Sequence, residues 1–175
     1  IIRFMLEFDE LPSGVETILI SPSGEDKIFN SSGVLVPQSE NTGTILLYDQ
    51  LPPSGNTDAE DGEINVSQND TLSMTFTDNL YDPETGELIT ISELKNFVTL
   101  EYADSANTEI PFDLIMEGSP PTLLVVPQSD YASDGVVNFD FSATLADENG
   151  NAIDFNFSAT FTTVSYTHLT LPTSR

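Results

Sequence analysis

The run Val137-Asn138-Phe139-Asp140-Phe141-Ser142-Ala143-Thr144-Leu145 sets apolar against polar residues at every second position. Side chains of an extended strand point alternately to its two faces, so this segment has one dry face and one wet face. Phe155, Phe157, Ala159 and Phe161 repeat the pattern against Asn156, Ser158, Thr160 and Thr162. Leu72, Met74 and Phe76 do so against Ser73, Thr75 and Thr77, and Phe4, Leu6 and Phe8 alternate near the start. Two-faced strands of this kind build antiparallel sheets packed on one side only. Leu123-Leu124-Val125-Val126 is continuously apolar up to Pro127, which predicts a more deeply buried strand. Turn chemistry separates the segments, at Pro12-Ser13-Gly14, Pro22-Ser23-Gly24, Pro83-Glu84-Thr85-Gly86 and Asn149-Gly150-Asn151. Only Ile91–Phe97 suits a helical turn, with Ser92 as its N-cap. Many short strands joined by turns predict an all-β fold, an antiparallel β-sandwich.

Composition narrows what such a sandwich can do. The 175 residues carry 29 Asp+Glu against 4 Lys+Arg, a formal net charge of −25, with no Cys and one His. A surface so acidic repels phosphate backbones and anionic lipid, which argues against nucleic acid as a partner and against docking on anionic membranes. The absence of Cys removes both a disulfide framework and a thiolate metal site. No apolar run approaches the ~20 residues of a membrane-spanning helix, so no membrane insertion is expected. Against the charge, 38% hydrophobic residues supply material for a core. Self-repulsion on this scale is best tolerated where salt shortens the Debye length to roughly 3–10 Å, which favours a saline exterior.

The chain opens at Ile1 with no charged-plus-apolar leader after it, so its start reads as truncated and export has to be inferred from the rest. At the other end, Val164-Ser165-Tyr166-Thr167-His168-Leu169-Thr170-Leu171-Pro172-Thr173 resembles one translated frame of the transposon-end adapter used in sequencing libraries. Residues 164–175, which hold His168 and Arg175, are therefore expected to be a non-native tail. Between the ends there is an internal echo. Val36-Pro37-Gln38-Ser39-Glu40 returns as Val126-Pro127-Gln128-Ser129-Asp130. A period of about 90 residues suits tandem sandwich domains. The polar stretch Pro52–Gly62, rich in Pro, Gly, Asn and acid, is the expected junction. The predicted organisation is a partial sandwich unit over residues 1–62, a complete one over 63–163, and the tail.

Within the second unit the order of motifs is distinctive. Ile64-Asn65-Val66-Ser67-Gln68-Asn69-Asp70 leads into Thr71–Phe76, followed by Val98-Thr99-Leu100, Leu124-Val125-Val126-Pro127, Asp147-Glu148-Asn149-Gly150-Asn151 and Thr160-Phe161-Thr162-Thr163. This order resembles the bacterial Ig-like domains of the S-layer (SbsA) type. Ala143 and the long 78–97 loop depart from that pattern. The resemblance implies a seven-stranded Ig-like sandwich, used as a repeated module in secreted or surface-anchored bacterial proteins. It brings no catalytic residues with it.

Motifs for hydrolysis or group transfer are absent: no phosphate loop, no dinucleotide fingerprint, no His-Glu-x-x-His and no Gly-x-Ser-x-Gly elbow. With His168 set aside no imidazole can activate a serine, and Lys27 and Lys95 both sit in polar surroundings. No enzymatic activity and no required cofactor are expected. Calcium is the cation whose preference for carboxylate, amide and carbonyl oxygens the acidic turns match. The candidate ligands form three clusters: Asn56, Asp58, Glu60 and Asp61 at the junction; Asp78, Asn79, Asp82, Glu84 and Glu87 after Phe76; and Asp147, Asn149, Asn151 and Asp154 before the final strand. An EF-hand count from Asn56 fails, with Gly62 one place late and Ser67 where the closing Glu belongs. The competing reading gives the same residues to turns for backbone reasons. Tyr81 and Tyr102 are candidates for stacking on a sugar or, alternatively, for sandwich edges.

The expected function is a non-catalytic structural spacer in a secreted or cell-surface bacterial repeat protein. Neighbouring repeats of the same chain are the expected partners, with calcium (Ca2+) as the candidate stiffener of the joint. Two alternatives stand beside it: an adhesin-type module gripping a surface glycan or protein, and an accessory domain of a secreted hydrolase.

Overall fold

A computed structural model describes residues 5–24, 28–37, 39–103 and 106–164. Lys27, His168, Arg175 and the adapter-like stretch from Ser165 onward lie outside the described residues. The chain divides into two compact units, Ile1–Leu51 and Pro52–Arg175.

In the first unit the described residues hold β1 (Thr17–Ile18) and β2 (Ile45–Leu46), paired antiparallel with Thr17 opposite Leu46, and an isolated bridge between Phe29 and Leu35. The alternation at Phe4, Leu6 and Phe8 predicts a strand, yet its described part, Met5–Phe8, belongs to none. Leu6 and Phe8 are each 48% exposed. Alternation produces a strand only where a sheet waits to cover the apolar face, and two-residue strands offer no such face.

The second unit is the sandwich. It contains β3 (Gly55–Thr57), β4 (Ile64–Ser67), β5 (Leu72–Phe76), α1 (Ile91–Lys95), β6 (Val98–Tyr102), β7 (Phe112–Glu117), β8 (Thr122–Pro127), β9 (Val136–Ala146) and β10 (Ala152–Val164). Two four-stranded sheets form, ordered β3-β5-β8-β7 and β4-β10-β9-β6. β9 and β10 run in unbroken register from Ala146 opposite Ala152 to Val136 opposite Thr162. Their odd-numbered residues face the other sheet, so Val137, Phe139, Phe141, Leu145, Phe155 and Phe161 meet Leu72, Met74, Phe76, Leu123 and Val125 in one core. At its centre Phe76 lies edge-on to Phe155 at 5.2 Å and tilted against Phe141 at 6.2 Å, while Phe141 stacks on Phe157 at 6.1 Å. These offset and edge-on geometries are the ones ring quadrupoles favour.

Four features differ from what the pattern predicts. Leu123 and Val125 are buried, but Leu124 and Val126 are only half-buried, because successive residues of the strand point to opposite faces of the sheet and only one of those faces the core. Not every neighbour is antiparallel: β4 runs parallel to β10, with Ile64 opposite Thr162. Part of the stretch read as a junction is sandwich, since β3 pairs with β5 before the chain crosses at residues 58–63 to join β10 as β4. Splitting this first strand between two sheets is why eight strands stand where the resemblance implies seven. Finally, α1 is capped by Thr90 rather than Ser92. Thr90 Oγ1 accepts from the Glu93 N–H, and the Glu93 carboxylate accepts from the Thr90 N–H at 2.8 Å. Thr-x-x-Glu closes a reciprocal capping box that Ser92 has no means to form.

Candidate functional site

The acidic clusters are the strongest chemical candidates in the sequence, and in the fold the side-chain oxygens of Asp58, Asp61, Asp78, Asp82, Asp147 and Asp154 meet N–H and O–H donors. Asp147 is buried at the β9–β10 turn. Its Oδ1 accepts from the backbone N–H of Asn149 at 2.9 Å and of Asn151 at 2.8 Å, and its Oδ2 from Asn151 Nδ2 at 2.7 Å. Gly150, at φ +83°, supplies the left-handed residue that the turn requires. Asn149 is exposed, and Asp154 accepts from Thr144 Oγ1 across the strand pair at 2.6 Å.

The junction cluster is pulled apart by the crossing. Asp58 grips the first sheet, accepting from Ser73 N–H and Oγ, both at 2.7 Å. Asp61 grips the second, accepting from Thr160 N–H at 3.0 Å. Asn56 pairs with Thr75 in the β3–β5 ladder, and Glu60 is exposed. In the loop after β5, Asp78 accepts from Thr77 Oγ1 and Asn79 Oδ1 from Ser119 Oγ. Asp82 Oδ1 takes the N–H groups of Glu84 and Thr85 at 2.7 and 3.0 Å. The amides of Thr85 and Glu84 hold the Asp82 carboxyl below its usual range, and the Thr90 hydroxyl and amide do the same for Glu93. Glu84 and Glu87 are exposed. Among the described residues no three carboxylates or histidines gather as a group able to hold a metal ion. The arrangement closes turns and ties strands together.

The tyrosines separate by role. Tyr102 Oη accepts from the Ala132 N–H at 2.8 Å, and Tyr81 bridges Leu88 and Ala146 through its backbone. Lys95 Nζ donates to the Phe112 carbonyl at 2.7 Å and lies 5.0 Å from the centre of the Phe112 ring.

Two residues that sequence reasoning passed over organise the far end of the sandwich. Thr163 is fully buried, its Oγ1 donating to the Ala132 carbonyl and accepting from Gly135 N–H at 3.2 Å. The signal was present: 163 has the same inward parity as Phe155 and Phe161, so a hydroxyl there had to find a partner indoors. Tyr131 carried no such signal. Its ring stands edge-on to Phe161 at 5.8 Å, but its buried hydroxyl has no hydrogen-bond partner among the described residues. Burial, reinforced by the charge of Asp70, raises that phenol far above the usual tyrosine range. Replacing Tyr131 with Phe keeps the ring and removes an orphaned polar atom, whose burial costs about 1–3 kcal/mol. We expect Tyr131→Phe to unfold at an equal or higher denaturant concentration than the parent; a clear loss of stability would show that the hydroxyl is satisfied in solution.

Comparison with known proteins agrees with this architecture. A family model described as a bacterial Ig-like domain matches residues 49–163, which takes in both sheets and the crossing between them. No curated protein matches the chain. Among the described residues no helix is long and apolar enough to cross a membrane.

Proposed function

Because the chain belongs to the bacterial Ig-like domain family, we propose that it serves as a non-catalytic, tension-resisting spacer in a secreted or cell-surface bacterial protein, of the S-layer type that its motif order resembles. Neighbouring modules of the same chain are its partners in this reading. The observation that carries the proposal is the parallel pairing of β4 with β10. β4 lies near the start of the sandwich and β10 ends it, and the two point the same way. Tension on the two ends therefore draws the strands past one another and loads all their hydrogen bonds together. The crossing that leads into β4 adds bonds at the same end: Thr162 N–H to the Glu63 carbonyl at 2.8 Å, Gly62 N–H to the Thr160 carbonyl at 2.7 Å, and Thr160 N–H to the Asp61 carboxylate. An antiparallel hairpin pulled from its open end yields one bond at a time. Stiffness resides here in the protein's own hydrogen bonds, with the acidic turns as fasteners.

Single-molecule pulling tests the reading. Handles at residues 52 and 164 should give a higher unfolding force than handles at 52 and 149, which peel β10 away from its free turn. Thr162→Pro deletes the bond to Glu63, a net ~1 kcal/mol contribution, while leaving the β9 ladder untouched. It should lower the force in the first geometry and leave the second unchanged. Equal forces in the two geometries would end the tension-resisting interpretation.

A further inference from the structure

Among the described residues, half of β10 presents an open backbone edge. The phase of its hydrogen bonds is set by Thr160 and Thr162, whose N–H groups turn away from β9 to Asp61 and Glu63, as the Thr160 carbonyl does to Gly62. In an antiparallel ladder bonded and non-bonded pairs alternate. Asp154, Asn156 and Ser158 share the parity of Thr160 and stand opposite Thr144, Ser142 and Asp140, so their N–H and C=O groups also point away from β9. β4 reaches only Thr162–Val164 of β10. Among the described residues no backbone hydrogen bond meets the outward groups of Asp154, Asn156 and Ser158.

An unpaired edge is a template for another strand. Natural edges are commonly blunted by proline, by a bulge or by a charge pointing inward. This one has none of these over Ile153–Ser158: the only register shift in β10 lies at Thr162/Thr163, and Asp154 faces outward to Thr144. Its two sides differ. On the core side Phe157 is half-buried and Ile153 is 37% exposed, and on the outer side Asp154, Asn156 and Ser158 are exposed. The charge around it is one-signed. In the described part of this unit Lys95 is the sole cation, and Phe112 already engages its ammonium.

We propose that the β10 edge at Asp154–Ser158 accepts an extended polypeptide segment in which apolar residues alternate with Lys or Arg. The apolar side chains lie along Ile153 and Phe157 while the basic ones face Asp154 and Asn156. A second copy of this chain is the poorer occupant, since each copy carries a formal charge of −25.

The test uses the full chain with two synthetic peptides of about seven residues, one alternating Lys and Val and one alternating Glu and Val. Affinity is read by titration calorimetry at physiological salt, and amide hydrogen exchange locates the contact. The Lys–Val peptide should bind and slow exchange at Asp154, Asn156 and Ser158, and the Glu–Val peptide should not. Ser158→Pro removes one outward N–H without touching the β9 ladder, and should weaken binding by about tenfold or more with an unchanged circular dichroism spectrum. Asp154→Lys, which involves no backbone change, should weaken the Lys–Val peptide and favour the Glu–Val one. Binding that both variants leave intact, or protection away from the edge, would reduce the effect to diffuse charge attraction and overturn the proposal. So would peptide-free dimers that Ser158→Pro dissolves, because the occupant would then be a second copy.

Discussion

Truncating Phe141 to alanine should destabilise the sandwich by about 3–5 kcal/mol, a large share of the ~5–15 kcal/mol that holds a typical domain together. The ring is fully buried, stacks on Phe157 and leans on Phe76, which itself meets Phe155 edge-on. Alanine would leave a void bordered by Phe76 on β5 and Phe157 on β10, rings fixed in opposite sheets. Neither side chain can swing into it without leaving its own contacts, so little of the cost is recovered by collapse. In denaturant titration the midpoint should fall with an unchanged slope, and the thermal midpoint should drop by roughly 10 °C or more. Ile115→Ala, on the partly exposed outer face of β7, should cost about 1 kcal/mol or less by the same measurement. Comparable losses for the two variants would mean that the centre of the core lies elsewhere.

The second large effect is expected at Asp147. Alanine there takes the buried acceptor away from the N–H groups of Asn149 and Asn151 at the β9–β10 turn, and removes the oxygen that receives Asn151 Nδ2. Hydrogen bonds to an ionised acceptor contribute about 1.5–3 kcal/mol each, and they act here as one clasp, so a total of about 2–4 kcal/mol is expected. Asp147→Asn should cost less, because its amide oxygen can still receive both backbone donors while its NH2 faces the Asn151 amide. With three N–H donors already on its oxygens, the carboxylate should show the same thermal midpoint in calcium and in chelator at matched ionic strength. A midpoint that rises with calcium in the parent but not in Asp147→Ala would instead assign this turn to the ion.

The strands were legible because burial in a one-sided sheet writes itself as period two. Val137–Leu145, Phe155–Phe161 and Leu72–Phe76 each became the strand their alternation predicts. Gly55-Asn56-Thr57 was illegible: an edge strand made of polar residues and glycine, held by backbone bonds to β5, leaves no apolar rhythm to read. Leu6 and Phe8 mislead in the opposite direction, since a rhythm without a surface to bury against stays outside any strand. The acidic turns stood out in the sequence, but their chemistry stayed ambiguous. Asp and Asn before glycine serve a cation loop or a backbone clasp equally well, and only the direction of Asp58 toward Ser73 and of Asp61 toward Thr160 tells which donors they meet. For α1, the capping box at Thr90 and Glu93 was readable by spacing alone, and Ser92 distracted from it.

β10 is the last element of the sandwich, yet it lies between β4 and β9 in its sheet. A nascent chain that has emerged only as far as Asn149 holds β4 and β9 with nothing between them, Val137 and Phe139 lacking their cross-strand cover. The unit cannot complete itself progressively as it leaves a ribosome; it must wait for Phe161 and then close in one late step. Any shortened chain that stops before Thr163 should behave as a sticky, half-made sheet and be cleared by proteases.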